Sequence, residues 1–235
     1  SEKIWHPHPL GLPVLGKAES VESITRNDLQ QLLSQRYLGQ NIIVAAAGKL
    51  DHDLFCRWIE TAFCALPEGE VRSHCDLPIY QPGTYLLSKP LEQVHLCLGC
   101  KALPQTHDDR FALQVLNTIL GASMSSRLFQ HVREERGLAY SIYSYLNCHS
   151  DAGSLVVYCG TAVDELLQVF DLVMEQFRSL KNDHIQAEEV TMAREQIKGN
   201  LLLSLEGSDS RMSRIARNEI YFGYQPNLES IITRL

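Results

Sequence analysis

The stretch Leu138-Ala-Tyr-Ser-Ile-Tyr-Ser-Tyr-Leu-Asn-Cys-His-Ser-Asp-Ala-Gly-Ser-Leu-Val-Val-Tyr-Cys-Gly-Thr161 decides the fold class. Residues 138–146 and 154–161 are rich in aromatic and β-branched side chains, and Asp151-Ala-Gly153 between them carries turn chemistry, so the two runs read as an antiparallel pair. Downstream the apolar period changes from two to 3.6. Leu166, Phe170, Val173, Phe177 and Leu180 form one helical seam, Val190, Ala193, Ile197, Leu201 and Leu205 another, and a third helix is expected over residues 209–221. Upstream, strands are expected at 84–89 and 94–102. A helix over 108–120 follows, with Phe111, Val115, Leu116 and Ile119 facing inward and Gly121 as its cap, and then a helix over 125–135. Strands followed by helices imply an α+β fold, an antiparallel sheet with helices packed on one face.

The first third of the chain is patterned differently. Residues 1–16 hold three prolines and two glycines and are expected to be irregular. Thr25 and Asp28 have capping-box spacing for a helix with Leu29, Leu32 and Leu33 on one face, ending near Arg36. Residues 41–47 read as a continuous apolar strand. Asp51 then caps a helix with an apolar stripe of Leu54, Phe55, Trp58, Ile59 and Ala62. One strand cannot make a sheet, so its neighbours are expected elsewhere. Residues 67–83, rich in Pro, Gly and charge, read as a linker. Residues 231–235 stop in mid-pattern, and both ends read as cut.

Composition removes several function classes. The 235 residues are 45% hydrophobic and 21% charged, which is ordinary for a globular protein and excludes disorder as the main state. The longest apolar run, 42–47, is far shorter than the roughly 20 residues that span a bilayer, so no membrane span is expected. With 21 Lys and Arg against 28 Asp and Glu, the net charge of −7 offers no basic stripe for nucleic acid. Seven cysteines cannot close into a complete set of disulfides. Cys56 and Cys64 on a helix, and Cys97, Cys100 and Cys159 in strand-like runs, read as small buried hydrophobes of a reducing compartment. That favours a cytoplasmic location, with the periplasm as the alternative.

Three places have residue types that suit metal chemistry. Cys97 and Cys100 are spaced like half a zinc knuckle, but strand residues three apart face opposite ways, and no second pair follows. His131-Val-Arg-Glu134-Glu135 is one letter from H-x-x-E-H, yet its second imidazole is replaced by Glu135, and Arg133 and Arg136 would compete with a cation. His6 and His8 read as loop histidines. No metal ligand is expected in the chain.

A different chemistry lies in residues 125–141. A charged helix ends at Gly137 and a strand begins near Tyr140, an arrangement able to aim Arg133 and Tyr140 into one space. Arg supplies a planar fork for carbonyl or carboxylate oxygens, and Tyr a hydroxyl donor to an oxyanion. Arg-rich helix ends are also commonly plain surface that compensates the helix dipole.

These residues carry a resemblance. Leu116-Asn-x-Ile-Leu-Gly121-x-Ser-Met-Ser-Ser-Arg127-Leu-Phe-Gln130-x-Val-Arg133-Glu-x-Arg136-Gly-Leu-Ala-Tyr140-Ser-Ile resembles the insulinase/pitrilysin-type zinc metallopeptidases, especially their bacterial and mitochondrial-processing-peptidase branch. So do His8-Pro-Leu-Gly-x-Pro-Val-Leu-Gly16, Glu22-Ser-x-Thr-Arg-x-Asp-Leu29 and Ala47-Gly-Lys-Leu-Asp51. The resemblance implies paired α+β domains forming a half-clamshell over unfolded peptides. Residues 1–66 would be the end of the first domain, 67–83 the linker, and 84–235 the second, non-zinc domain, truncated at its C-terminal end. It implies that H-x-x-E-H and its third ligand lie ahead of this stretch, so zinc belongs to the full-length parent or a partner subunit and this segment alone is inactive. It implies peptide or unfolded protein as substrate, and the zinc-bearing domain or a homologous subunit as partner. It makes Arg133 an anchor for substrate main-chain oxygens and Tyr140 a contact to the scissile carbonyl. The alternative is a catalytically silent partner or scaffold subunit.

Overall fold

The computed structural model describes residues 2–69 and 76–235. Its helices are α1 (Ala18–Ser23), α2 (Arg26–Arg36), α3 (His52–Phe63), α4 (Arg110–Leu120), α5 (Leu166–Asn182), α6 (Ala187–Ser204), α7 (Ser208–Phe222) and α8 (Leu228–Arg234). Its strands are β1 (Val94–Ala102), β2 (Ala139–Cys148) and β3 (Gly153–Thr161). The chain divides into two units, residues 1–83 with 203–226, and residues 84–202 with 227–235.

In the first unit the local signals are obeyed. The Thr25 hydroxyl accepts from the Asp28 N–H, and the Asp28 carboxylate accepts from the Thr25 N–H at 2.8 Å, closing the capping box of α2. Asp51 caps α3 by accepting from the Leu54 N–H. The loop histidine His8 is saturated: its Nδ1 accepts from the Leu10 N–H, so Nε2 carries the proton given to the Asp76 carbonyl at 2.8 Å. The expected strand is not formed. Residues 41–47 are not a strand, because they find no ladder partner among the described residues and a lone extended segment leaves its backbone groups unpaired. No residue of α2 or α3 is fully buried: Phe55 and Ile59 are half-buried, and Trp58 is 62% exposed.

The second unit holds the sheet. It is antiparallel, in the order β1–β3–β2, and starts at Val94; residues 84–89, expected to be a strand, are irregular, with Leu86 96% exposed. Period-two geometry sends Leu155, Val157 and Cys159 of β3 to one face, with Ile142 beside them on β2 and Leu96 and Leu98 on β1. Leu120 at the end of α4, Leu128 and Val132, and Val169 and Val173 of α5 complete this core. The helices therefore pack on one face, as the α+β expectation required. The opposite face carries His95, Tyr143, Tyr145 and Tyr158, with Tyr143 and Tyr158 rings 5.0 Å apart and His95 Nδ1 2.8 Å from the Tyr158 hydroxyl.

Two further expectations are corrected. The helix of 125–135 is not regular: residues 129–134 form a π-helical turn. The cysteines are not uniformly core. Cys97 and Cys100 do face opposite ways, opposite Tyr158 and Leu155 respectively, but both are exposed because β1 is an edge strand of this sheet. Cys64 is exposed, Cys56 and Cys148 are half-buried, and Cys159, on the central strand, is buried, which pushes its thiol up to about 11. Cys75 and the middle of the 67–83 linker, residues 70–75, lie outside the described residues.

Gly121 sets the junction between α4 and β2. Its carbonyl accepts from the Ser144 N–H at 3.1 Å, and a Cβ placed there would stand 2.7 Å from both Ser144 N and Ser144 Oγ. The Ser144 hydroxyl is already committed to Asn117 Oδ1 at 2.7 Å, so it cannot yield freely. Gly121→Ala should therefore destabilise the chain by about 1–3 kcal/mol, the usual cost of overpacking, read as a lower urea midpoint at unchanged slope.

Candidate functional site

The site is built where one irregular turn meets one irregular strand. Leu128 and Val132 are both fully buried, which turns their side of residues 127–134 to the core and leaves Phe129 and Arg133 half-buried beside them. The Glu135 N–H reaches back five residues to the Gln130 carbonyl at 2.9 Å, the signature of a π turn, a form frequent at functional sites. Gly137 then stops the helix with φ +64°, a left-handed conformation in which any Cβ is strained. Its N–H donates to the Arg133 carbonyl at 3.1 Å, and the Leu138 N–H to the Val132 carbonyl at 3.0 Å. The Thr161 hydroxyl pins the strand entrance by donating to the Leu138 carbonyl at 2.6 Å.

The strand entrance carries a β-bulge. Ala139 sits opposite Thr161 and Ser141 opposite Gly160, so Tyr140 is the extra residue without a partner on β3. Released from the ladder, Tyr140 is 78% exposed. The Arg133 guanidinium carbon lies 5.0 Å from the centre of its ring and 4.8 Å from that of Phe129. Among the described residues it pairs with Glu134, whose Oε1 lies 3.8 Å from Arg133 Nε, beyond hydrogen-bond reach. The structure thus brings Arg133 and Tyr140 together and leaves the N–H groups of the fork available. Phe129 was not singled out from the sequence. The signal for it is its position four residues before Arg133, where helical side chains become neighbours.

The turn is tied to α6 at its other end. Arg127 donates through Nε and Nη2 to the two oxygens of Glu189, each at 2.7 Å, and through Nη1 to Ser179 at 3.2 Å. The Arg127 hydrogen bonds hold the Glu189 carboxyl below the usual carboxylate range, against the opposing effect of burial. His131 and Glu135 form a separate surface pair, Nδ1 to Oε2 at 3.0 Å, and this bond keeps the Glu135 carboxyl below its usual value. Arg136 donates to the same Glu135 oxygen at 3.2 Å. Among the described residues, no three His, Cys, Asp or Glu side chains come together in a way that could hold a metal ion. No helix among them is long and apolar enough to cross a membrane.

The sequence profile of the peptidase M16 inactive domain matches residues 23–197. The chain is 38% identical over 235 residues to the uncharacterized zinc protease YmxG of Bacillus subtilis, covering 100% of this chain and 57% of that protein. It is 37% identical over 237 residues to the uncharacterized zinc protease Rv2782c of Mycobacterium tuberculosis, covering 99% and 54%. It therefore spans little more than half the length of these bacterial relatives. Among solved structures, a peptidase M16 inactive domain from Pseudomonas fluorescens superposes with a TM-score of 0.89 at 23% identity, covering 99% of this chain and 56% of that one. A chain of complex III2 from Candida albicans gives 0.86 at 22%, covering 99% and 58%. These two likenesses show the shared fold.

A carboxylate whose pKa is depressed in the folded state stabilises it above the unfolded value and loses that contribution as pH falls through the folded one. Glu189 starts from 4.5, so its share is fully present above that pH and disappears on further acidification. Glu189→Gln should unfold more easily near pH 7 and lose less stability than the native chain as the pH falls from about 5 to about 3, followed by urea unfolding. Parallel curves for the two proteins would show that the pair does not contribute.

Proposed function

Because the chain belongs to the peptidase M16 inactive-domain family, we propose that it supplies the substrate-binding side of a zinc-dependent metalloendopeptidase. The observation that carries this reading is the approach of Arg133 to Tyr140 at 5.0 Å, with a guanidinium fork that has no hydrogen-bond acceptor among the described residues. Residues 84–235 act as the second, non-zinc domain, and residues 1–66, joined by the 67–83 linker, as the end of the first. Zinc is held by a zinc-bearing domain or a homologous subunit. The names of the relatives, zinc proteases, support that assignment.

Each side chain has a distinct task in this reading. Arg133 donates in the plane of its fork to main-chain oxygens of an extended peptide, which fixes the register of the chain to be cut. Tyr140, exposed on its bulge, donates its hydroxyl to the scissile carbonyl as negative charge develops there. The zinc of the assembled enzyme supplies Lewis-acid polarisation of that carbonyl and activation of water. Arg133 acts equally in ground and transition state, whereas the Tyr140 hydroxyl is worth most where charge has built up.

The assembled, zinc-bearing enzyme separates the two roles. Tyr140→Phe should lower kcat by about 10²–10³ with KM nearly unchanged, the size of losing one oxyanion donor. Arg133→Ala should act mainly on KM. Unchanged turnover in Tyr140→Phe would remove the role given to the hydroxyl, and unchanged peptide affinity in Arg133→Ala would leave the chain as a silent scaffold subunit. The 235-residue chain by itself is expected to carry no stoichiometric zinc by metal analysis. Zinc that is lost in His131→Ala would overturn the assignment of His131 and Glu135 to the surface.

A further inference from the structure

Arg133 is held in an unusual way for a surface cation. Most arginines that are fixed in place are fixed by carboxylates, as Arg127 is by Glu189 at 2.7 Å. Arg133 instead has two aromatic rings against its guanidinium, Phe129 at 4.8 Å and Tyr140 at 5.0 Å, and no acceptor within hydrogen-bond distance among the described residues, Glu134 standing 3.8 Å away. The two kinds of restraint have opposite consequences. A carboxylate occupies the N–H edge of the fork, whereas a ring attracts the cation through its face and leaves the edge free.

We propose that Phe129 is a positioning residue. Together with the ring of Tyr140 it clamps the Arg133 guanidinium so that its N–H edge is presented to a peptide carbonyl. The proposal rests on the substrate-binding reading of Arg133 and adds to it both a residue and a second duty for Tyr140, separable from its hydroxyl. The backbone makes the clamp. Burial of Leu128 and Val132 brings Phe129 and Arg133 to the outer side of the π turn, and the left-handed Gly137 returns the chain so that the bulged Tyr140 arrives beside them. A flexible arginine would be ordered only when the peptide binds, and that ordering would weaken affinity. The clamp orders it beforehand. Lysine cannot replace it, because an ammonium has no planar fork to stack and donate at once.

The test uses the 235-residue chain and a fluorescein-labelled, unstructured peptide with both ends blocked, so that main-chain oxygens are the acceptors. Phe129→Leu keeps an apolar side chain, and thermal unfolding confirms that the variant folds. Its Kd should weaken by about two- to fivefold, the size of one partly exposed cation–π contact. Phe129→Tyr should restore affinity. Tyr140→Leu should weaken binding at least as much as Phe129→Leu. In an Arg133→Ala background Phe129→Leu should cost nothing further, a non-additivity that simple packing would not produce. An equal loss in both backgrounds would overturn the clamp, as would a normal Kd for Phe129→Leu where Arg133→Ala weakens binding. If Arg133→Ala leaves Kd unchanged, the substrate-binding reading falls and takes the positioning role with it. The geometry has its own readout. The Arg133 Nε–H resonance should show a ring-current shift that Phe129→Leu and Tyr140→Leu reduce and Tyr140→Phe retains, and its absence overturns the clamp.

Discussion

Leu128 and Val132, neither with any exposed surface, are the constraint on which the rest of the site depends. They share a core with Ala139 and Ile142 of β2, Leu155, Val157 and Cys159 of β3, and Val169 and Val173 of α5. Burying each such side chain stabilises the fold by about 1.5–3 kcal/mol. The exposed ion pairs around them, Arg133 with Glu134 and Arg136 with Glu135, belong to a class worth about 0–1 kcal/mol. Burial therefore decides which side of the turn faces inward. Arg133 and Phe129 stand at the half-buried margin because Leu128 and Val132 beside them take the core positions.

Two irregularities then place Arg133 and Tyr140. The π turn and the β-bulge each insert a residue that the regular element would not hold, one before Gly137 and one after it. The bulge takes Tyr140 out of the ladder. Both are anchored on well-ordered neighbours: Thr161 holds the carbonyl of Leu138, and the bidentate Arg127–Glu189 pair ties the start of the turn to the first turn of α6. These anchors fix the backbone on either side of Arg133 and Tyr140, whose side chains then meet ring against guanidinium.

Much of this was legible in the sequence. The period-two runs of residues 138–161 and the 3.6-residue seams after Leu166 correspond to β2, β3, α5 and α6, and Thr25, Asp51 and Gly137 act as the cap and stop signals their chemistry implies. The spacing of Arg133 and Tyr140 suggested a shared space, and the two side chains do meet. Other features were not legible. The apolar run at 42–47 and the stripes of α2 and α3 have the right pattern for burial but no full cover among the described residues. The apolar string around Cys97 and Cys100 gave no sign that β1 lies at the edge of the sheet.

The dividing line is the range of the interaction. Helix periodicity, capping, the left-handed stop at Gly137 and strand alternation depend on residues a few positions apart, so the sequence by itself determined them. Strand order, the burial of Cys159 against the exposure of Cys97, the widening of residues 129–134 into a π turn and the meeting of Phe129, Arg133 and Tyr140 were decided only by the tertiary structure. Each of these depends on which distant segment removes a given face from water, and that cannot be read from neighbours along the chain.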